Sequence, residues 1–420
     1  MAEFIIKGGK KLKGEIEVHG AKNAALKALA SSLLFSGPIT VKNLPWIEDV
    51  FRMKELLEEL GVKVSKAGER GLKLDAKKLS GAGFRKEIAK SLRASVVLTG
   101  PLLAREKKVI FPHPGGDVIG KRPIDIFLEG FRAFGAKIRT SRDNYEASAE
   151  KLKGADFTFK MISVSATETL MMAAVLAKGR TILRNAALEP EIESLANFLN
   201  KNGARIRGAG TPTVEIAGQN SRLLRGGGTF EIIPDRIDAG SFLILGAALG
   251  ARIKIKKCNP LHLAALIFLL ESAGVKIKSG PDWLLVSRPR KLTSLDAKTR
   301  EYPGFATDLQ APFTVLMTQA RGQAMIFETV FEGRLNYIEE LNRMGAKITP
   351  CDPHRILVHG PTPLRGRDIE APDIRAGLAF IIAALVAKGE SRIKNIYQID
   401  RGYERIEERL QKLGADIERV

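Results

Sequence analysis

The sequence predicts an α/β protein of two domains, each made of three repeated units whose buried helices are surrounded by sheets. Three observations carry this. The chain has 420 residues, more than the roughly 250–300 that one hydrophobic core organises. One short element recurs six times: LGVKV at Leu60, FGAKI at Phe134, NGARI at Asn202, AGVKI at Ala273, MGAKI at Met344 and LGADI at Leu413. A second, apolar segment accompanies each copy. The glycines of the six elements, Gly61, Gly135, Gly203, Gly274, Gly345 and Gly414, are separated by 74, 68, 71, 71 and 69 residues. Such a period marks a repeat architecture.

Each copy closes an amphipathic helix. VFRMKELLEEL, IFLEGFRAF, IESLANFLNKN and YIEELNRM carry apolar residues at three-to-four spacing, and the glycine supplies a left-handed cap. The Lys-Val, Lys-Ile or Arg-Ile that follows opens a strand. The accompanying segments are AALKALASSLL, ASVVLTGPLLA, ATETLMMAAVLA, GSFLILGAALG, APFTVLMTQA and GLAFIIAALVA. They are apolar on nearly every side and are therefore expected inside. The boundary between domains falls at IIPDRID. Domains are expected over residues 22–232 and 233–420, with a strand from residues 1–21 completing the second.

Lys and Arg number 67 against 47 Asp and Glu, a formal net charge of +20 with a pI near 9.9. That balance raises nucleic acid, anionic membrane or acidic small molecules as partners. The basic residues are spread along the whole chain, and aromatics at 6% are too few for base-stacking platforms. An evenly basic surface and polyanionic substrates both fit. The two cysteines, Cys258 and Cys351, exclude a disulfide framework and suit reduced thiols in a cytoplasm. The start lacks the apolar core of a signal peptide, and the longest apolar stretches fall short of the roughly 18–20 residues that cross a bilayer. A cytoplasmic protein without membrane association is expected.

Polar residues gather at recurring places. Asp49, Arg122, Glu191, Arg334 and Arg401 stand 11 to 13 residues ahead of their glycines, in the loop expected before each capped helix. Lys22 and Asn23, Arg93, Ser163 and Ser165, Asp235 and Arg236, Asp308, and Asp373 with Arg375 stand just before the apolar helices. Helix N-termini carry unpaired N–H groups and partial positive charge, and arginine adds a planar fork for phosphate or carboxylate. These ends are expected to converge on a cationic site in a cleft between the domains. Ordinary N-capping accounts equally well for Asp235 and Asp373. The five histidines, His19, His113, His262, His354 and His359, show no paired metal-ligand spacing beyond the loose CDPHRILVH. No P-loop, dinucleotide fingerprint or nucleophile elbow can be read.

One stretch stands apart: PHPGGDVIGKRPID, Pro112 to Asp125, sets a single Asp117 on a glycine turn five residues before Arg122. It reads either as a surface turn with a solvated acid or as a loop that moves to offer a proton to an anionic substrate.

GAKNA, LRASVVLTGPLLAR, PGGDVIGKRPID, EPEI, PDRIDAGSFL, ATDLQAPF, FEGR and IDRGYERIEERL follow one another almost from end to end. In that order they resemble the enolpyruvyl transferase family, and within it the UDP-N-acetylglucosamine 1-carboxyvinyltransferases. The resemblance implies two inside-out α/β barrel domains of three units each, which agrees with the repeat. It implies transfer of an enolpyruvyl group from phosphoenolpyruvate to the sugar 3-hydroxyl with release of phosphate, the first committed step of peptidoglycan synthesis. The route passes through a tetrahedral phospholactoyl intermediate and uses no metal or organic cofactor.

Residue by residue, the resemblance implies that Lys22, Arg122 and Arg401 hold phosphoenolpyruvate and stabilise developing charge. Asn23 and Asp308 would contact the sugar, Asp308 as the leading base. Arg93, Ser163 and Val164 would face the diphosphate, and Pro123 with Asp125 the uracil. Val330, Arg334 and Arg375 would complete the site. The implied partners are the two small-molecule substrates, with neither nucleic acid nor membrane.

The sister 3-phosphoshikimate 1-carboxyvinyltransferases share fold and donor, but their lysine motif resembles DKS, whereas GAKNAAL and the PGGD loop favour the nucleotide sugar. A nucleic-acid-binding repeat protein is the alternative from another class. It would account for the +20 but leave apolar helices capped by Lys22, Arg93 and Asp308 without a purpose.

The chain departs from the family pattern twice. Met161 stands where some members have a lysine near the nucleotide, with Lys160 beside it. Asp117 stands where many members carry a cysteine thought to assist protonation of the substrate methylene. An ordinary Asp has a pKa of about 3.9, so acting as an acid at pH 7 needs a rise of about three units, or ~4 kcal/mol. Closure over a phosphate dianion acts in that direction through desolvation and like-charge repulsion, while Lys121 and Arg122 pull the other way. Fosfomycin, which alkylates that cysteine in typical members, is expected to leave this protein unmodified. Intact-mass spectrometry after incubation should show no adduct, and an adduct mapped to Pro112–Asp125 overturns the expectation.

Overall fold

A computed structural model describes residues 2–81, 83, 86–113, 115, 119–120, 124–287 and 291–420. The chain forms two compact units. The first comprises Gly20–Gly116 with Arg122–Ile233, and the second Met1–His19, Asp117–Lys121 and Pro234–Val420. Each has its own hydrophobic core, drawn from residues 21–232 in the first and from residues 4–417 outside that span in the second.

Both units repeat one sheet pattern: an edge strand running parallel to its neighbour, followed by two antiparallel pairings. In the first unit Thr229–Glu231 lies parallel to Ile39–Lys42, which pairs with Gly71–Asp75 and then Lys63–Lys66. Asp156–Thr158, Arg180–Arg184, Thr213–Ala217 and Ile206–Arg207 form a second such sheet. Lys108–Pro112, Asn144–Ser148 and Lys137–Thr140 form a third. There the parallel edge is reduced, among the described residues, to one bridge between Gly83 and Ile110.

The second unit draws on the N-terminus twice. Lys13–Glu17 is the parallel edge beside Arg252–Lys256, Trp283–Ser287 and Lys276–Ser279. Phe4–Lys7 lies antiparallel between Glu390–Lys394 and Asp416–Arg419, with Asp368–Glu370 as the parallel edge. Ala297–Lys298, Gly322–Phe327, Arg355–Gly360 and Lys347–Asp352 make the remaining sheet. The architecture is mixed α/β, and the six sheets are separate; among the described residues none closes into a barrel.

The apolar segments form helices buried along nearly their whole length. Ala166 to Leu176 in Val164–Leu176, Ile237 to Ala247 in Arg236–Leu249 and Ile374 to Leu385 in Ile374–Val386 are all buried. AALKALASSLL closes with the 3-10 turn Ser32–Leu34, and two other segments open with one. ASVVLTGPLLA begins as the 3-10 turn Arg93–Leu98 and turns α only at Thr99–Glu106, and the segment around APFTVLMTQA begins as Thr307–Leu309 before Gln310–Met317. Pro101 and Pro312 are the cause. Proline fits the first α turn but not a helix interior, so the α-helix has to start just ahead of it.

The capped helices follow the repeat. Glu48–Glu59, Asp125–Ala133, Pro190–Lys201, Ala264–Ser272, Ile338–Arg343 and Ile406–Lys412 each run into their glycine, whose φ lies between 87° and 103°. One bond recurs six times across the cap: the N–H of Val62, Ala136, Ala204, Val275, Ala346 and Ala415 donates to the carbonyl of Leu57, Phe131, Leu199, Leu270, Leu341 and Leu410, at 2.9–3.0 Å. This is the 6→1 bond of a Schellman cap. No helix of the described residues is long and apolar enough to cross a membrane.

The caps separate two costs of adding a methyl group. A Cβ at Gly203 meets nothing within 4 Å, whereas at Gly61 it would stand 2.9 Å from the Ser80 backbone nitrogen. Gly203→Ala should destabilise the first unit by ~1–2 kcal/mol from backbone strain alone, and Gly61→Ala by more. Denaturant midpoints of the two variants decide it, and an equal or reversed order refutes the account.

Candidate functional site

In the first unit Lys22 opens the buried helix Lys22–Ser31. The entry to this helix is tied to a neighbouring segment, since Ala21 N–H donates to Ile233 O at 2.8 Å. Lys22 is 7% exposed, and its Nζ lies 2.7 Å from Asp49 Oδ2. A charge this deep requires such a counter-ion. Asn23 follows it, half-buried. Asp49 and Glu191 do not lie in loops, as the spacing suggested, but within the first turns of Glu48–Glu59 and Pro190–Lys201. Carboxylates are favoured at the positive end of a helix, so helix begins earlier there.

Arg93 is half-buried at the first residue of its 3-10 turn. Ser163 caps Val164–Leu176 by accepting from Ala166 N–H at 3.3 Å, and Ser163 and Val164 are both half-buried. Asp125 is exposed at the start of its helix. Lys160 pairs with Glu129 at 2.7 Å beside Met161, which is 59% exposed. Asp117, Arg122 and Pro123 lie outside the described residues.

The first unit also holds a pair that the motif reading passed over. Lys27 Nζ is 3.1 Å from Glu168 Oε2, and both side chains are buried. Burial pushes the Glu168 carboxyl up to about 7 against the pull of Lys27, with Glu191 and Glu189 adding to the rise. The signal was present: Lys27 and Glu168 are single charges inside the apolar runs AALKALASSLL and ATETLMMAAVLA.

In the second unit Asp308 sits in the turn Thr307–Leu309, and two arginines hold it. Arg334 Nη1 donates to Oδ1 at 2.7 Å and Arg375 Nη2 to Oδ2 at 3.2 Å. The Asp308 side chain is 21% exposed, the two arginines less. Burial works against its charge, but Arg375 and Arg334 outweigh burial and keep the carboxyl well below the usual range. Arg375 is fixed from behind by donating to Tyr403 Oη at 3.0 Å, and that hydroxyl lies 3.2 Å from Ser241 Oγ. Burial pushes the Tyr403 phenol up, so it stays neutral.

Asp373 and Asp235 act as caps. Asp373 accepts from Arg375 N–H and Ala376 N–H at 2.8 and 3.0 Å, and Asp235 from Ile237 N–H and Asp238 N–H at 2.8 and 3.1 Å. Arg401 is buried just beyond Tyr397–Asp400 and donates to Gln398 Oε1 at 2.8 Å. Val330 is half-buried, its N–H directed at Glu328 Oε1, 2.8 Å away. Of the stretch Pro112–Asp125, the residues Pro112, His113, Gly115, Ile119, Gly120, Ile124 and Asp125 are described. Ile119 O accepts from Gly333 N–H at 3.1 Å, and a Cβ on Gly333 would stand 2.7 Å from Gly120 N, so only glycine admits this approach next to Arg334.

Each unit thus pairs cationic and carboxylate side chains beside the start of a buried helix: Lys22 with Asp49 in one, Arg334 and Arg375 with Asp308 in the other. Such sets bind anions and hold a carboxylate ionised. Among the described residues no group of three or more His, Cys, Asp or Glu could hold a metal ion.

Comparison with known proteins bears on the chemistry. The sequence profile of the EPSP synthase (3-phosphoshikimate 1-carboxyvinyltransferase) family matches residues 6–410. The chain is 43% identical over 423 residues to a UDP-N-acetylglucosamine 1-carboxyvinyltransferase of Koribacter versatilis, covering 100% of this chain and 97% of that one. It is 44% identical over 422 residues to a protein of the same name from Solibacter usitatus, covering 100% of both. Among solved structures it resembles the enolpyruvyl transferase NikO from Streptomyces tendae, with a TM-score of 0.90 at 24% identity over 100% of this chain and 99% of that one. EPSP synthase from Acinetobacter baumannii gives a TM-score of 0.76 at 19% identity over the whole of both chains.

The Glu168 carboxyl sets a pH dependence. Its folded-state pKa is raised from the ordinary 4.5 to about 7, so between those values the unfolded chain gives up its proton first. Its contribution is present below pH 4.5 and is lost as pH rises through about 7. Stability of the first unit should therefore fall between pH 5 and pH 8, and Glu168→Gln should flatten that decline. Denaturant melts across the window test this; an unchanged slope in the variant excludes Glu168 as the source.

Proposed function

The chain belongs to the enolpyruvyl transferase family, with the UDP-N-acetylglucosamine 1-carboxyvinyltransferases, and from that membership we propose that it transfers the enolpyruvyl group of phosphoenolpyruvate to the 3-hydroxyl of UDP-N-acetylglucosamine. The observation that carries the reading is Asp308, held ionised by Arg334 and Arg375 at the start of a buried helix.

In the addition step the 3-hydroxyl oxygen bonds to C2 of phosphoenolpyruvate, a proton reaches the C3 methylene, and the hydroxyl proton is taken up. The product is a tetrahedral adduct that still carries the phosphate. In the elimination step C3 gives back a proton, the C2–O bond to phosphate breaks, and enolpyruvyl-sugar and phosphate result. Asp308 accepts the hydroxyl proton. In the free enzyme two guanidiniums hold its charge and make it a weak base. When anionic groups of the substrates share those guanidiniums, the hold weakens and the proton affinity of Asp308 rises. Lys22, Arg122 and Arg401 hold phosphoenolpyruvate and meet the charge that develops as phosphate leaves. Asn23 contacts the sugar, Arg93, Ser163 and Val164 the diphosphate, Pro123 and Asp125 the uracil, and Val330 the remaining substrate surface. Asp117 takes the place of the family's loop cysteine.

Buried helices and outer sheets support reading each unit as an inside-out barrel of three repeats. The activity belongs to peptidoglycan synthesis in the cytoplasm, with small molecules as partners and without a cofactor.

Phosphate release from phosphoenolpyruvate should depend on UDP-N-acetylglucosamine and be absent with shikimate 3-phosphate. Asp308→Asn should lower the rate by about 10²–10⁴-fold, the range for a general base. Release with the shikimate alone overturns the acceptor, and release with neither overturns the reading.

A further inference from the structure

We propose that Glu328 is a positioning residue of this reaction, fixing both the backbone at Val330 and the Arg334–Asp308 pair; the inference rests on the reading of Val330, Arg334 and Asp308 as substrate-site groups. Glu328 follows the strand Gly322–Phe327 and is 0% exposed. Its side chain has no ion-pair partner among the described residues, and hydrogen bonds alone hold it. Oε1 accepts from Thr299 Oγ1 at 3.0 Å, Val330 N–H at 2.8 Å and Phe331 N–H at 3.2 Å. Oε2 accepts from Thr307 Oγ1 at 2.8 Å. Its backbone is pinned as well: Glu328 N–H donates to His354 O at 2.8 Å, and Glu328 O lies 2.8 Å from His354 Nδ1.

A buried carboxylate without a cation is costly where an amide of the same shape is available, so its acceptor-only character needs a reason. The bond directions supply one. Thr307 gives its proton to Glu328, which leaves its oxygen to accept from Arg334 Nη1 at 2.8 Å. That same Nη1 donates to Asp308 Oδ1 at 2.7 Å. Glu328 therefore sets the polarity of a chain running from Arg334 through Thr307, and with it the orientation of the guanidinium on Asp308. The other oxygen holds the two backbone amides of the turn that leads through Gly333 to Arg334.

The two oxygens can be tested apart in the full-length enzyme. In Glu328→Gln the amide oxygen retains the Val330 and Phe331 bonds, while Nε2 faces Thr307 and reverses that bond, turning the hydroxyl proton toward Arg334. Expected is a kcat lowered about 10–100-fold per folded enzyme, the loss of a hydrogen bond to a charged group, with both KM values within about twofold of wild type. In a Thr307→Val background, where no hydroxyl remains to be reversed, Glu328→Gln should cost little more. Glu328→Ala releases both sides and should also raise KM for UDP-N-acetylglucosamine. A residue needed only for folding would lower the active fraction and leave KM unchanged.

Wild-type KM in Glu328→Ala, wild-type kcat in Glu328→Gln, or an undiminished effect in the Thr307→Val background overturns the proposal. Should Glu328→Ala fail to fold, the Gln and Thr307→Val pair decides it. Wild-type enzyme assayed alongside separates the two levels: an inactive wild type overturns the proposed reaction and the role of Glu328 with it, whereas an active wild type with unaffected variants overturns the role of Glu328 alone.

Discussion

Placing charge at the end of a buried helix is the constraint on which the rest depends. The apolar helices fill the cores, and a lone ion among them would cost several kcal/mol. At the starts of these helices unpaired N–H groups and a second fixed charge complete the set. Lys22 with Asp49 is one solution, and Asp308 with Arg334 and Arg375 the other. Removing one member leaves its partners uncompensated, so these residues are bound to one another in stability before any substrate arrives. The 3-10 starts enforced by Pro101 and Pro312 serve the same end, since they place Arg93 and Asp308 ahead of the α-helical bodies.

The sheets give those helix starts a fixed frame by borrowing strands across the repeat. Phe4–Lys7 fills in the sixth sheet the central place that Gly71–Asp75 and Arg355–Gly360 fill in theirs, and Thr229–Glu231 returns to edge the sheet that begins at Ile39. Segments far apart in sequence are thereby joined within each unit. The same long-range closure puts Thr299, Thr307, Val330 and His354 around Glu328.

What could be read in advance follows from which forces are local. A left-handed cap favours glycine and a buried helix disfavours charge along its body, so both left a period in the sequence. The bond from Val62 N–H to Leu57 O and its five counterparts are that period in physical form. Pairing left no such trace. That Asp308 meets Arg334 and Arg375, or that Lys27 meets Glu168, depends on side chains 26, 67 and 141 residues apart, which no spacing rule reaches. The family resemblance named Asp308 and both arginines without saying that they bind each other. Lys27, Glu168 and Glu328 escaped because a single charge in an apolar run looks like noise until its partner is seen. Spacing also put Asp49 and Glu191 in the loop, whereas they are the second residues of Glu48–Glu59 and Pro190–Lys201, because the helix end itself favours carboxylates.

The double hold on Asp308 also orders the chemistry. Two guanidiniums keep the Asp308 carboxyl well below the usual range, so in the empty site it is an anion at neutral pH and is able to accept. Its weakness as a base is then a feature of the empty site alone. In the proposed reaction, anionic groups of the substrates that bond to Arg334 or Arg375 draw those guanidiniums from Asp308. On that reading the proton affinity of Asp308 rises when substrate anions share its guanidiniums and falls when they leave. On the proposed reaction, the hydroxyl proton is taken only in the loaded enzyme, and release of phosphate restores the field that drives the proton off again. On the proposed role of Glu328, the bond from Arg334 to Thr307, which itself donates to Glu328, keeps the guanidinium in place on Asp308 while its charge is shared.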